Sequence, residues 1–125
     1  MIDTDAMLGN ASPLNPIVVI DSMSALYSLT TFKNPRSELF VFFEKLRDLG
    51  ITVFLITEMF DPDKDIFGTY GVEEFLADSI IHLKTEKSGK GTNLFLGIVK
   101  MRETNHDRDY YPLIVDKHGF EIVHD

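Results

Sequence analysis

Short apolar runs and one long helical stretch follow each other along the chain in an order that predicts a βαβ unit and then antiparallel strands. Ile17-Val18-Val19-Ile20 is an uninterrupted β-branched run that stops at Asp21, the pattern of a strand covered by helices on both faces of a parallel sheet. Asn34-Pro35 then offers a helix cap and a first-turn proline. Leu39, Phe42, Phe43, Leu46 and Leu49 recur at helical spacing until Gly50 ends the helix. Val53-Phe54-Leu55-Ile56 reads as a second buried strand. The fold class is therefore α/β, with strands near 17–21 and 52–57 around a helix near 35–49. Such a crossover is right-handed in nearly all proteins, so the two strands should be parallel. Both end on polar residues, Asp21-Ser22 and Thr57-Glu58, which sets two carboxylates along the carboxyl edge, where open α/β sheets bind ligands.

The remaining pattern is less regular. Residues 1–16 have turn composition, and 1–13 are expected to form a loose lead-in to a single domain over 14–125. Residues 59–70 mix Asp, Pro, Gly and aromatics, the composition of a long mobile loop, either a functional, ligand-ordered segment or plain disorder. Val72 to Ala77 can make a short helix. Beyond it, strands are expected at 79–84 and 93–101, joined by a loop over 85–92, and at 110–115 and 119–124 around Asp116-Lys117-His118-Gly119.

Composition narrows the function classes. At 125 residues and 44% hydrophobic content the chain can bury one core of its own. A net charge of −8 argues against nucleic acid as the main partner, because phosphate binding is driven by Lys and Arg displacing counterions. The absence of cysteine excludes disulfides and thiolate metal sites. No apolar stretch approaches the roughly 20 residues of a membrane span, and no signal peptide is evident, so a cytoplasmic location is expected.

Several residues carry candidate chemistry, each with a plainer reading beside it. Asp21 at a strand end suits a carboxylate that holds Mg²⁺ through water, or else a turn or helix-capping Asp. Glu58 can sense a phosphate from the neighbouring strand end, or simply be a solvated acid. Lys100 and Arg102 alternate along an extended segment, so period two puts both cations on one side to grip a phosphate; the alternative is a solvated edge strand. Asp61, Asp63 and Asp65 open like a calcium loop, but Ile66 replaces the required glycine and Val72 the closing glutamate. His106, Asp107 and Asp109 lack zinc-ligand spacing. Nor is there a P-loop: in Lys84 to Gly91, the nearest string, Lys84 stands for the first glycine and Gly91 for the hydroxyl.

Four segments, VVIDSMSALY, ITVFLITE, YGVEEFLADSIIHL and KMRETNHDRDYYPLIVDKHGFEIV, occur in an order that resembles the C-terminal half of a KaiC domain, a RecA-superfamily ATPase type common in archaea. The resemblance implies that Asp21, next to Ser22, is the Walker B aspartate and that Glu58 occupies a nucleotide-sensing position. It further implies that Lys100, Met101, Arg102, Thr104 and His106 reach across a subunit interface to a neighbour's ATP, acting in trans as an arginine finger does. Walker A and the catalytic acidic pair of the family lie upstream of Walker B and outside the matched segments, so ATP hydrolysis by this chain alone is not expected. Glu103 departs from a glycine common after the KxR string.

The leading expectation is thus a RecA-like partial domain that binds MgATP only within an assembled site, through self-association or with a KaiC-like partner. The alternatives are a noncatalytic module that tunes a full-length KaiC-like ATPase, and a PIN-like Mg²⁺-dependent nuclease using Asp21, Glu74 and Asp78.

Overall fold

A computed structural model describes residues 16–59 and 66–124. The expected lead-in at 1–13, the middle of the 59–70 loop and the Asp61, Asp63, Asp65 string lie outside the described residues. The chain divides into two compact units, Met1–Ala77 and Asp78–Asp125.

In the first unit, β1 (Ile17–Asp21) and β2 (Thr52–Ile56) pair in parallel, in register from Ile17 opposite Thr52 to Asp21 opposite Ile56. Between them run α1 (Met23–Ser28) and α2 (Pro35–Asp48), and α3 (Glu73–Leu76) follows β2. The capping expected for α2 is present and reciprocal. Asn34 Oδ1 accepts from the Ser37 amide at 3.3 Å, while the Glu38 carboxylate accepts from the Asn34 amide at 2.9 Å. Lys45 and Arg47 sit in the last turn, where cations favour the helix dipole, and Gly50 supplies the left-handed conformation (φ 65°) that ends the helix. The short helix α1 was not anticipated; Ser22 starts it, its Oγ accepting from the Ala25 amide at 3.3 Å.

Met23, Tyr27, Leu39, Phe42, Phe43 and Leu46 form the core, with Ile20, Val53 and Leu55 of the sheet and Val72 and Leu76 packed against it. The expectation that both strands are covered on both faces is corrected. Burial alternates residue by residue: Ile20, Val53 and Leu55 face the helices, whereas Ile17, Val19, Phe54 and Ile56 on the opposite face are exposed.

The second unit is an antiparallel meander in the order β3 (Ser79–Ser88), β4 (Gly91–Met101), β5 (Tyr110–Asp116), β6 (Gly119–Ile122). The loop expected over 85–92 is instead a continuation of both strands. Pairing runs out to Ser88 opposite Gly91, leaving Gly89-Lys90 as a tight turn with Gly89 at φ 60°. The register slips once. Ile81 pairs with Ile98 but Ile80 with Lys100, so Val99 is the extra residue of a β-bulge.

Cross-strand pairing places Ile81, Leu83, Leu94, Leu96, Ile98, Leu113 and Ile122 on one face and His82, Lys84 and Tyr110 on the other. On that second face Gly97 is buried because the Tyr110 ring lies directly over it; a Cβ there would meet the ring at 2.6 Å. Tyr110 Oη in turn lies 2.8 Å from His82 Nδ1, and the Lys84 ammonium stands 4.4 Å from the ring centroid.

Candidate functional site

The candidate residues fall in both units. In the first, Asp21 ends β1 on the exposed face, abreast of Ile56, and Glu58 lies two residues past the end of β2. Both carboxylates are exposed at the carboxyl edge of the parallel pair, where the crossover argument put them. The Asp21–Ser22 peptide is cis, and the Ser22 side chain is committed to capping α1. Two further hydroxyls lie at this edge, Ser24 in the first turn of α1 and Thr57 just after β2. Their oxygens are shielded from solvent and have no hydrogen-bond partner among the described residues. A buried hydroxyl without a partner is uncommon and marks a place where a bound group can supply one. Neither residue was singled out from the sequence, because Ser and Thr at element ends are ordinary.

A hollow of about 400 Å³ in this unit lies elsewhere: it is lined by Asn34, Arg36, Ser37, Phe40, Val72, Phe75 and Leu76, and by neither Asp21 nor Glu58.

In the second unit, simple alternation from Leu94, Leu96 and Ile98 would carry Lys100 onto the apolar face. The bulge at Val99 rephases the strand, and Lys100 pairs with Ile80 on the face of His82 and Lys84. β4 ends at Met101, so Arg102 stands one residue past the strand rather than within it. It nevertheless continues the ladder: its amide donates to the Asp78 carbonyl at 2.9 Å, and its Nη1 donates to Asp78 Oδ1 at 3.1 Å. Glu103 takes φ 59°, a left-handed conformation that favours glycine, which gives a backbone reason for the glycine expected at this position.

Thr104 is exposed and His106 half-buried. His106 Nδ1 lies 2.8 Å from the Asp107 carbonyl oxygen. A carbonyl only accepts, so Nδ1 carries the proton and Nε2 of the neutral ring is an acceptor. Next to it, the Tyr111 hydroxyl donates to Asp107 Oδ2 and the Asp109 amide donates to Oδ1 at 2.8 Å. These bonds, the tyrosine's first, hold the Asp107 carboxyl below the usual carboxylate range.

The carboxylates of the nuclease reading are divided between the units, Asp21 and Glu74 in the first and Asp78 in the second. Among the described residues no group of three acidic or histidine side chains is placed to hold a metal ion, and Asp78 is engaged by Arg102. Sequence reasoning had set Asp78 in that cluster and had no sign of its pairing with Arg102, because the pairing depends on an unmarked bulge. Among the described residues no helix is long and apolar enough to cross a membrane.

A family model described as the KaiC ATPase matches residues 13–125. The circadian clock protein KaiC3 of Synechocystis is 32% identical over 108 residues, which cover 85% of this chain and 21% of that protein. The circadian clock oscillator protein KaiC of Synechococcus elongatus is 32% identical over 106 residues, 84% of this chain and 20% of that protein. A crystal structure of a KaiC-like protein from the hyperthermophilic archaeon Pyrococcus horikoshii superimposes with a TM-score of 0.72 at 30% identity, over 86% of this chain and 46% of that one. The chain thus spans about a fifth of the length of the clock proteins it matches. The α/β fold with its strand-end carboxylates and the similarity across nearly its whole length agree, and the chain belongs to the KaiC family of ATPases.

Proposed function

We propose that this chain supplies part of a composite MgATP site that is complete only in an assembly with a KaiC-like ATPase. Lys100, Met101, Arg102, Thr104 and His106 form its trans face, directed at the phosphates of a nucleotide bound by a neighbouring subunit. The observation that carries this reading is the bulge at Val99, which brings Lys100 out of the apolar face and onto the face that also holds His82 and Lys84. Two cations that close in sequence are suited to one polyphosphate, Arg102 by its planar fork and Lys100 as a point charge.

In the first unit, Asp21 and Ser22 take the Walker B position and Glu58 the sensor position. An Asp at the end of a strand fits a Mg²⁺ held through water, and the partnerless Ser24 and Thr57 hydroxyls fit an oxygen-rich ligand beside it. The cation would neutralise charge on the β- and γ-phosphates. No GxxxxGK[ST] string occurs in the sequence, so the backbone cradle for the phosphates has to come from another segment or subunit. The same fact favours, as a second reading, a module that tunes the ATPase of a full-length relative without hydrolysing ATP itself.

Mixing the chain with a full-length KaiC-like ATPase and MgATP tests the proposal. A complex by light scattering that depends on MgATP and is weakened by Arg102→Ala supports it, and a changed ATPase rate of the partner in that complex favours the second reading. A chain that never engages such a partner refutes both.

A further inference from the structure

We infer that Asp78 is the positioning residue for Arg102, setting the direction of the guanidinium before any phosphate arrives. The inference rests on the reading above, that Arg102 meets a neighbour's nucleotide, and adds the residue through which that contact is controlled.

Arg102 is a long side chain at the point where a strand gives way to irregular chain. β4 ends at Met101 and no strand resumes until Tyr110. A side chain at such a boundary inherits the mobility of the segment that follows it, and ordering it on contact costs affinity. Here both ends of the residue are referred to one neighbour. The Arg102 amide donates to the Asp78 carbonyl at 2.9 Å, and Nη1 donates to Asp78 Oδ1 at 3.1 Å.

Asp78 immediately precedes β3, and the next rung is Ser79 opposite Met101. The two bonds therefore tie the guanidinium to the frame of the sheet. The Val99 bulge makes this possible, because it shifts the partner residues of the last rungs by one position.

The pair orients Arg102 without sequestering it. Its side chains are 44% and 64% exposed, so the attraction is screened by solvent. A polyphosphate carries several negative charges and presents more acceptor oxygens than one carboxylate, so it adds to the guanidinium's contacts instead of having to break a buried pair. Asp78 was available to sequence reasoning only as a carboxylate; its role follows from the register.

The test is a double-mutant cycle read as MgATP affinity in the complex of the full chain with a full-length KaiC-like ATPase. Asp78→Ala is expected to weaken binding by up to about fivefold, the range of a solvent-exposed ion pair. Asp78→Asn, which keeps an oxygen to accept from Nη1, is expected to retain most of the affinity. In an Arg102→Ala background, Asp78→Ala should change nothing further. If Arg102→Ala weakens binding while Asp78→Ala does not, this inference fails and the trans site stands. An Asp78→Ala loss that persists in full without Arg102 shows a general structural role and overturns it as well. No effect of Arg102→Ala itself removes the underlying reading.

Discussion

The Tyr27 hydroxyl donates to the Glu73 carboxylate at 2.9 Å across 46 residues of chain, joining α1 to α3 inside the first unit. Glu73 is only 6% exposed, and it also accepts from the amides of Tyr70 and Val72, each at 3.1 Å. Gly68, at φ 110°, packs so tightly on this carboxylate that a Cβ would stand 2.5 Å from Glu73 Cδ. The rings of Tyr27, Phe32 and Tyr70 pack edge to face on one another. One buried acid thus ties Gly68, Tyr70 and Val72 to the helix that carries Tyr27.

Tyr27→Phe removes the hydroxyl and leaves the buried carboxylate one donor short. The expected cost is about 1–3 kcal/mol, measured by urea unfolding at neutral pH. Burial first, and then the Glu73 charge and hydrogen bond, raise the Tyr27 phenol above its usual value of 10.0. A raised folded value means that the protonated phenol stabilises the fold. That contribution is fully present below pH 10 and is lost as pH rises from there toward the folded value. Wild-type stability should therefore fall more steeply above about pH 10 than that of Tyr27→Phe. Equal slopes would place the buried hydrogen bond in doubt.

The exposed outer face of the β1–β2 pair makes a second prediction by contrast with the core. Leu39 is fully buried at 0% exposure, while Phe54 on the outer face is 50% exposed. Leu39→Ala removes a core side chain and leaves a cavity, at a cost of about 3 kcal/mol. Phe54→Thr keeps a good strand former and gives up only half a ring's burial, about 1 kcal/mol. Denaturant midpoints of the two variants check the ranking, and a reversed order would mean that the outer face is covered in solution.

That outer face also marks where the sequence could be read and where it could not. The cap at Asn34, Pro35 in the first turn and the stop at Gly50 are local signals, and the helix between them lies where they put it. The apolar run Ile17 to Ile20 was legible as a strand but not as a half-exposed one. A continuous apolar run has no polar alternate to reveal which side faces solvent. The hairpin ran longer than expected because Glu86, Lys87 and Lys90 resemble loop residues, although the far end of a two-stranded ladder projects into solvent and tolerates charge.

At the site the same division holds. Asp21 and Glu58 follow from strand ends, which pattern reveals. The bulge at Val99, the Asp78–Arg102 pair and the burial of Glu73 depend on register and on contacts distant in sequence, which no local signal encodes.

Asp107 provides a readout of the loop that carries His106. The Tyr111 hydroxyl is the first cause of its lowered value, so Tyr111→Phe should move the Asp107 titration up toward the usual 3.8, followed by NMR of the side-chain carboxyl. A depressed folded value means that the ionised carboxylate favours the folded loop. The contribution is present above the unfolded value and disappears as pH falls through the folded one. Local order from His106 to Asp109 should therefore loosen in acid, below the ordinary carboxylate range, and Tyr111→Phe should loosen it at higher pH than in wild type. An unmoved Asp107 titration in that variant would assign the shift to the backbone amides instead.

Glu103 tests the backbone and the charge of the trans face together. Its φ of 59° is a conformation in which a side chain clashes with the neighbouring carbonyl, at about 1–2 kcal/mol. Glycine removes that strain but gains freedom in the unfolded chain, which returns about 0.5–1 kcal/mol. Glu103→Gly should therefore leave stability nearly unchanged or raise it by about 1 kcal/mol, read from thermal unfolding. It also takes a negative charge away from beside Arg102. On the proposed function, affinity for MgATP in the complex with a KaiC-like ATPase should increase, and more so at low salt, where exposed charges are less screened. Glu103→Ala provides the separation: it removes the same charge but keeps a Cβ in the left-handed conformation, so it should reproduce the gain in binding without the relief of strain. If both variants bind MgATP no better than wild type, phosphate does not approach this end of β4.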